Sequence, residues 1–566
     1  MVTVGTFETS GGAPPASGRG DRAATLLVLV LALVYAVFLS TLSINAHRGL
    51  ATQMKDLGNA DQALWAAAHG DWAMTQSNDL DGELRSRIAI HANLIFWPLS
   101  LLYLFWPNPE LLLVLGSLAC AATGVGLYAF ARQRLGKTWW SLVPPLAFWL
   151  SPIVHDANLY DFHSITVATA LLVWMVWAFA SGRLRLGWVL LVLAMLCQED
   201  IPLVTFMVGL FLTLRRSRAT GFLVMAASLA YFVALVGLVV PAFGRGEGLA
   251  KFSIADGRYA WLGGGPLDVL RTVAARPATV LAHVLRPDHL RLPVYLLLSG
   301  GLAALGAWPM LLAALPQVAA GLLAWGPWMT RITGTYYWVT SEAVIILACV
   351  LAAEKRLKAP VRRFPWPLAY LSGATVIFSL LLSPLPHGLG STWQKCALLA
   401  ERESLRKIAD LIPREASVSV QNNLGAHLSQ RRDVAAFPRR LETADYVLLH
   451  LRYLGGPDAG LFVRTSPEVL FGLTTHQLAR AATALAQSPD WGLVACDQGF
   501  YLFSRNRGGR RPTGPPAFAR EKAQELVAAD ARQLEEACAL ASRHRMWWSH
   551  YLVDAYTWRE LGRALR

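Results

Sequence analysis

Gly187–Leu214 reads GWVLLVLAMLCQEDIPLVTFMVGLFLTL. It is apolar and long enough to span a bilayer as one helix, yet Arg183 and Arg185 precede it and Arg215, Arg216 and Arg218 follow it. Lys and Arg collect on the cytoplasmic side of a membrane. A single crossing would strand one of these clusters on the wrong side. A hairpin of two short helices removes the conflict and puts Gln198-Glu199-Asp200-Ile201-Pro202 at an outer turn. Charge inside an apolar stretch is costly, so Glu199 and Asp200 are expected to face a cavity or the aqueous surface.

The rest of the chain agrees with a membrane reading. Of 566 residues, 54% are hydrophobic and 16% charged, against about 25% charged in soluble domains. That composition predicts a polytopic α-helical integral membrane protein. Lys and Arg outnumber Asp and Glu by 51 to 37. In such a protein the excess belongs to cytoplasmic loops facing anionic lipid, and no nucleic-acid partner is expected. Cys120, Cys197 and Cys349 fall in apolar segments and read as small core residues. Cys396, Cys496 and Cys538 leave room for one disulfide without implying it, and no zinc spacing occurs.

Residues 1–22 read as a disordered cytoplasmic N-terminus, and Ala23–Ile44 as a membrane anchor rather than a cleaved signal. The loop 45–92 is then external. Asn93–Trp106 is short and ends at Pro107-Asn108-Pro109, as a re-entrant or interfacial piece would. Glu110–Ala131, Trp139–Val154 and Ser164–Ala180 alternate across the bilayer, with HDANLYDFH (His155–His163) as an outer loop. Ala219–Val240 follows the hairpin. An external segment at roughly 242–290 carries a turn at Gly263-Gly264-Gly265. Leu292–Trp308 and Pro309–Trp325 read as a further hairpin, and Val339–Ala353 and Pro367–Leu382 as the last crossings. About eleven crossings place the basic loops inside, among them Lys137, Arg362 and Arg363, and the acidic loops outside. The transmembrane domain then covers 23–389. Residues 390–566 form a small external α/β domain: SVSVQ, DYVLLHL and LVACDQGFYLFSR read as strands, and 517–541 as an amphipathic helix. The expected location is the inner membrane, with the N-terminus cytoplasmic and the C-terminal domain outside.

Three outer loops carry groups suited to chemistry. The first holds KDLGNADQALW (Lys55–Trp65), with Asp56 and Asp61 five residues apart, in a loop that also contains Asp79. The second holds Asp156 and Asp161 with His155 and His163, and the third Glu199 and Asp200. Carboxylates and imidazoles converging from separate loops offer hard ligands for a divalent cation such as Mg or Mn. One of them could instead act as general base on a hydroxyl. The plainer reading is that they solvate loop ends and pair with Arg85, Arg87 or Arg258. Arg258 and Arg331 are candidate phosphate grips, because guanidinium binds phosphate through a bidentate fork; both equally suit interfacial anchors beside Trp and Tyr. His91 is a further candidate for a donor phosphate. No Walker loop, GxSxG, HExxH or dinucleotide fingerprint is present.

KDLGNADQALW after the first span, His91, YDFHSIT, CQEDIPL and SVSVQNNLGAHLSQRRDVAAF…ADYVLLH together resemble a family of prokaryotic membrane proteins designated domain of unknown function 2079. The resemblance covers roughly 25–455. That family is similar to the GT-C superfamily of integral-membrane glycosyltransferases. The resemblance implies many spans, a catalytic Asp in the first external loop, and a polyprenyl-phosphate-linked sugar donor. Asp56 matches the family's D-L-G aspartate, Asp61 the Asp before Gln62, His163 its F-H histidine, and Glu199 with Asp200 its E-D pair. Asn59-Ala60 replace the bulky apolar pair usual after D-L-G, and the match around Tyr336-Tyr337 is loose.

The expected function is transfer of a sugar from that lipid-linked donor to an extracytoplasmic acceptor. Asp56 would be base or metal ligand, supported by Asp61. His91, His163, Arg258 and Arg331 would bind substrate, and Asp156, Glu199 and Asp200 would complete a metal site with Asp56. A transporter or lipid flippase built on Glu199 and Asp200 is the alternative, weakened by the lack of an internal repeat. A non-catalytic membrane scaffold is the third.

Overall fold

A computed structural model of the chain describes residues 19–78, 81–136, 139–215, 218–244, 258–263, 266–359, 364–388, 399–451, 472–506 and 518–542. Expectations placed on the first eighteen residues, Asp79, Lys137, Arg216, Gly264, Gly265, Arg362, Arg363, Cys396 and most of 242–257 lie outside them. Helices dominate. The chain divides into two compact units: 1–41, 88–96 and 113–391 in the first, and 42–87, 97–112 and 392–566 in the second.

The first unit is a helical bundle. Helix Val339–Leu357 is its centre, with every side chain from Val339 to Glu354 buried. It packs on helices Ser164–Ala180, Trp366–Leu382 and Val143–Leu150. Its sequence, VTSEAVIILACVLAAEKRL, is apolar all round until its last turn, as full enclosure requires. Thr169 and Thr340 join their hydroxyls across one of these contacts at 2.8 Å.

Among the described residues, four helical stretches are long and apolar enough to cross a membrane: Arg22–Arg48, Glu110–Leu135, Arg218–Phe243 and Pro287–Leu323. Shorter apolar helices are Ser164–Ala180, Leu184–Met195, Ile201–Leu214 and Trp366–Leu382. The apolar run 187–214 is split as its flanking arginines predict: helix Leu184–Met195 ends before Gln198-Glu199-Asp200, and helix Ile201–Leu214 starts after them, with Pro202 in its first turn. Helix Ile201–Leu214 lies close against Arg218–Ala234. Gly209 and Gly221 permit the approach, since a Cβ on Gly209 would stand 2.8 Å from Met225 N and one on Gly221 would strike Thr213 N.

Two expectations change. His155–His163 is not an open loop, because Pro152 starts a helix that runs to Leu159 and buries His155 and Asp156. The stretch expected as a hairpin over 292–325 is instead one interrupted helical run, Pro287–Leu323. A π-helical turn at Leu297–Gly301, 3-10 turns and a break at Ala307 (φ −125°, ψ 36°) divide it.

The second unit holds a five-stranded sheet. β1 (Thr75–Ser77) and β2 (Leu84–Ser86) form a separate antiparallel pair in the first loop. β3 (Val418–Val420), β4 (Val434–Ala436), β5 (Tyr446–His450), β6 (Trp491–Asp497) and β7 (Phe500–Arg505) run in the order β4-β3-β5-β7-β6. β3 is parallel to β4 and β5, and β7 is antiparallel to β5 and β6. Every residue of β5 is buried, so YVLLH is a continuous run rather than an alternating one. The β6–β7 turn is Gln498-Gly499, both at positive φ, the backbone that two-residue hairpins favour. Helix Thr475–Gln487 opens on a capping box between Thr474 and Gln477 and packs against helix Arg520–Ser542. Cys496, like Cys120, Cys197 and Cys349, is a free thiol.

Candidate functional site

In the second unit, the loop after the first span-length helix and the segment after β3 are built into one another. Met54–Gly58 (MKDLG) forms a π-helical turn and runs straight into helix Asn59–Ala68. π turns are rare and occur often at functional sites. The turn packs on the 3-10 helix Asn422–His427. Asn422 Oδ1 accepts from the Lys55 backbone N–H at 3.3 Å, Asn422 Nδ2 donates to Gln53 Oε1 at 3.2 Å, and Asn423 Nδ2 donates to Leu50 O at 3.2 Å. Two glycines allow this approach: a Cβ on Gly58 would sit 2.6 Å from Met54 Sδ, and one on Gly425 would collide with Met54 Cβ.

The two aspartates of this stretch differ in surroundings. Asp61 is wholly buried. Tyr103 Oη donates to Oδ1 at 2.7 Å, Ser429 Oγ to Oδ2 at 2.6 Å, and Gln430 Nε2 to Oδ1 at 3.2 Å. Burial pushes its carboxyl up to about 6 while these donors hold it from rising further. Gln62 continues the clamp, donating to Arg431 O and Arg432 O and accepting from the Ser77 N–H. Asp56 is half-buried in the first turn of the π-helical segment. His427 lies under His47, ring centroids 4.1 Å apart, and burial drives it down to about 4, so it is neutral at physiological pH.

In the first unit, residues 91–95 are tied to the turn at 196–200. His91 Nδ1 meets Glu199 Oε1 at 3.0 Å, and the Ala92 N–H donates to Glu199 Oε2 at 3.1 Å. Asn93 Nδ2 donates to Ser164 Oγ and Cys197 O, and the Ile95 N–H to Leu196 O. The His91 side chain is 42% exposed and that of Glu199 20%, so the carboxylate backs the imidazole and leaves its other edge to solvent. Burial pushes the Glu199 carboxyl up, but His91 and the Ala92 N–H outweigh it and hold it below its ordinary value. The adjacent Asp200 is pushed up to about 6 by burial and by the Glu199 charge; Gln317 Nε2 donates to its Oδ2 at 3.1 Å.

The remaining expected residues of the first unit separate into three groups. His163 stacks on Tyr336, ring centroids 3.3 Å apart, with Tyr160 beside both. Burial lowers the Arg331 guanidinium from its ordinary value, and the Arg331 carbonyl accepts from Trp338 Nε1. Arg258 instead points to Met329 Sδ, and its carbonyl accepts from the Trp325 N–H. Asp156 is buried in helix Pro152–Leu159. Its neighbour His155 donates from Nε2 to Trp149 O at 2.7 Å and accepts from Ser383 Oγ at 3.0 Å. Among the described residues, no group of three or more His, Cys, Asp or Glu is arranged to hold a metal ion.

Residues 46–469 match the model of a family described as "Predicted membrane protein (DUF2079)", three quarters of the chain. The chain belongs to the DUF2079 family. No curated protein matches it. Solved structures similar to it include ArnT from Cupriavidus metallidurans bound to undecaprenyl phosphate, at 12% identity and TM-score 0.44 over 87% of this chain and 99% of that one. Another is the archaeal oligosaccharyltransferase AglB from Archaeoglobus fulgidus in complex with an inhibitory peptide and a dolichol phosphate. It is 11% identical, with TM-score 0.42, over 90% of this chain and 78% of that one.

Several residues that build the sites of this DUF2079 chain escape a reading by residue type. Tyr103 sits in a segment that reads as membrane-seeking, and Gln317 in an apolar helical run. Asn422, Asn423, Ser429 and Gln430 lie in QNNLGAHLSQ, whose density of amides directly after a buried strand is the one local signal. Buried amides need partners, and the partners here lie more than 360 positions away in the chain.

Proposed function

We propose that this DUF2079 protein is a GT-C-type glycosyltransferase of the bacterial inner membrane. It would take a sugar from a polyprenyl-phosphate donor and pass it to an extracytoplasmic acceptor. The chain would cross the bilayer about eleven times, with its N-terminus in the cytoplasm and its C-terminal domain outside. The observation that carries the reading is the contrast within KDLGNADQ. Asp61 is sealed among three donors, whereas Asp56 stands half-buried on a π-helical turn that directly follows a span-length helix. Asp61 thereby suits positioning, and Asp56 suits contact with substrate.

In this reaction Asp56 accepts the acceptor hydroxyl proton as the acceptor oxygen bonds to the anomeric carbon. The bond from that carbon to the phosphate oxygen breaks, and polyprenyl phosphate leaves with the electron pair. Charge on the leaving phosphate needs cationic or N–H donors. Within the first unit taken by itself, His91, whose ring Glu199 fixes, and Arg331 are groups of that kind. Arg258, half-committed to Met329, is the weaker candidate. Asp56, Asp156, Glu199 and Asp200 do not supply a three-ligand cage among the described residues, and Glu199 is already engaged by His91. No step is therefore routed through a divalent cation.

The test is turnover by purified protein in nanodiscs, with a panel of polyprenyl-phosphate sugars, with and without Mg or Mn. Wild type is expected to release polyprenyl phosphate, and Asp56→Ala to lose at least about a hundredfold in rate while staying folded. Undiminished release by Asp56→Ala would remove that residue from the mechanism. Ion or proton flux dependent on Asp200, with no release from any donor, would favour the transporter.

A further inference from the structure

The basic end of the first unit carries a cluster outside both regions described above. Glu354, in the last turns of the central helix, is only 7% exposed. Its Oε1 is reached by Lys358 Nζ at 2.7 Å and by Arg134 Nη1 at 3.7 Å. Arg215, at the end of helix Ile201–Leu214, lies in the electrostatic field of both Glu354 and Arg134. Two aromatic rings hold the guanidinium groups in place. Arg134 lies 5.6 Å from the Phe130 ring centroid, and Arg215 lies 5.8 Å from that of Phe211.

The charges in this cluster do not balance. Arg134 and Lys358 both reach the carboxylate of Glu354, and Arg215 lies within the field of that same carboxylate. Arg215 Nη2 is buried and has no acceptor. A buried guanidinium N–H without an acceptor is costly, and two neighbouring guanidinium groups repel unless an anion lies between them. Arg134 is the penultimate residue of the span-length helix Glu110–Leu135, which places the cluster at headgroup depth.

We propose that Arg134, Arg215 and Lys358 form a binding site for a phosphate group, supplied by an anionic phospholipid of the leaflet at the basic end of the bundle. Arg215 Nη2 donates to a phosphate oxygen, Arg134 shares the charge, and Glu354 holds the three cations in register. Basic pockets between helix ends commonly take lipid headgroups, and guanidinium pairs with phosphate in a fork that an ammonium cannot copy. The proposal is independent of the glycosyltransferase reading.

Lipid binding to the full-length protein, followed by native mass spectrometry, tests it. The probes are phosphatidylglycerol, phosphatidylcholine and inorganic phosphate. Wild type is expected to retain phosphatidylglycerol in preference to phosphatidylcholine. Arg215→Gln should weaken that binding roughly tenfold or more, as loss of a charge-assisted hydrogen bond would. Lys358→Gln, at an exposed position that folding tolerates, should weaken it less. Arg185→Gln, an exposed arginine outside the cluster, should leave it unchanged. Binding of inorganic phosphate by wild type with no retention of phosphatidylglycerol would uphold the phosphate site but overturn the lipid as its source. Equal retention by wild type and a folded Arg215→Gln, or no preference between the two lipids, would overturn the proposal.

Discussion

Tyr103, Ser429 and Gln430 all donate to Asp61, and the bonds from Tyr103 and Ser429 are buried. Removing the carboxylate leaves their hydrogens facing one another in a closed space, where each buried unsatisfied group costs about 1–3 kcal/mol. Asp61→Ala is therefore expected to destabilise the second unit by roughly 2–4 kcal/mol. Thermal unfolding of the purified protein reads this, and a variant as stable as wild type would refute the clamp. Asp61→Asn should be milder, because one carboxamide oxygen can still accept from two donors. The neighbouring Asp56 is half-buried where Asp61 is fully buried, so Asp56→Ala should cost less stability than Asp61→Ala. The pair thus separates a structural from a chemical role within one short motif. Residue type could not do so, since both are aspartates in one polar loop. Only the partners brought in from positions 103, 429 and 430 distinguish them.

The π-helical turn Met54–Gly58 and the 3-10 helix Asn422–His427 meet closely in the second unit. Gly425 faces the Met54 side chain with no room for a methyl group. Gly425→Ala should cost roughly 1–3 kcal/mol as an overpacked contact, and Met54→Ala in the same chain should recover part of it. Additive losses in a double-mutant cycle would mean that the two residues do not press on each other. Elsewhere, local chemistry was enough to read an element. Paired arginines and a mid-run Glu-Asp divide 187–214 into two helices, and the hairpin of β6 and β7 is visible in LVACDQGFYLFSR. It was not enough at His155–His163, where polar residues suggest a loop. Pro152 and the enclosure of His155 between Trp149 and Ser383 make half of it helix instead.

The second unit is assembled from three separated lengths of chain, 42–87, 97–112 and 392–566. The first loop relies on the last length for its buried partners: Gln53, Asp61 and Gln62 all bond to residues between 422 and 432. A protein ended after Ser391 should retain its apolar helices, while its 42–87 loop opens and becomes an early site of proteolysis. Limited digestion in detergent followed by mass spectrometry checks this. A loop as resistant as in the full chain would show that it holds itself together.

By itself, the sequence determined that this is a helical membrane protein of the DUF2079 family, and where most of its helices and strands begin. Those features depend on composition, charge flanks and short-range periodicity, which are local. The tertiary structure alone decided that Asp61 is sealed while Asp56 is half-buried, that Glu199 backs His91, and that Arg134 and Lys358 share Glu354. Each of these depends on groups far apart in the chain meeting in a low-dielectric interior. There a carboxylate is set by its nearest donors and charges, and the count of residues between them carries no trace of the distance folding leaves.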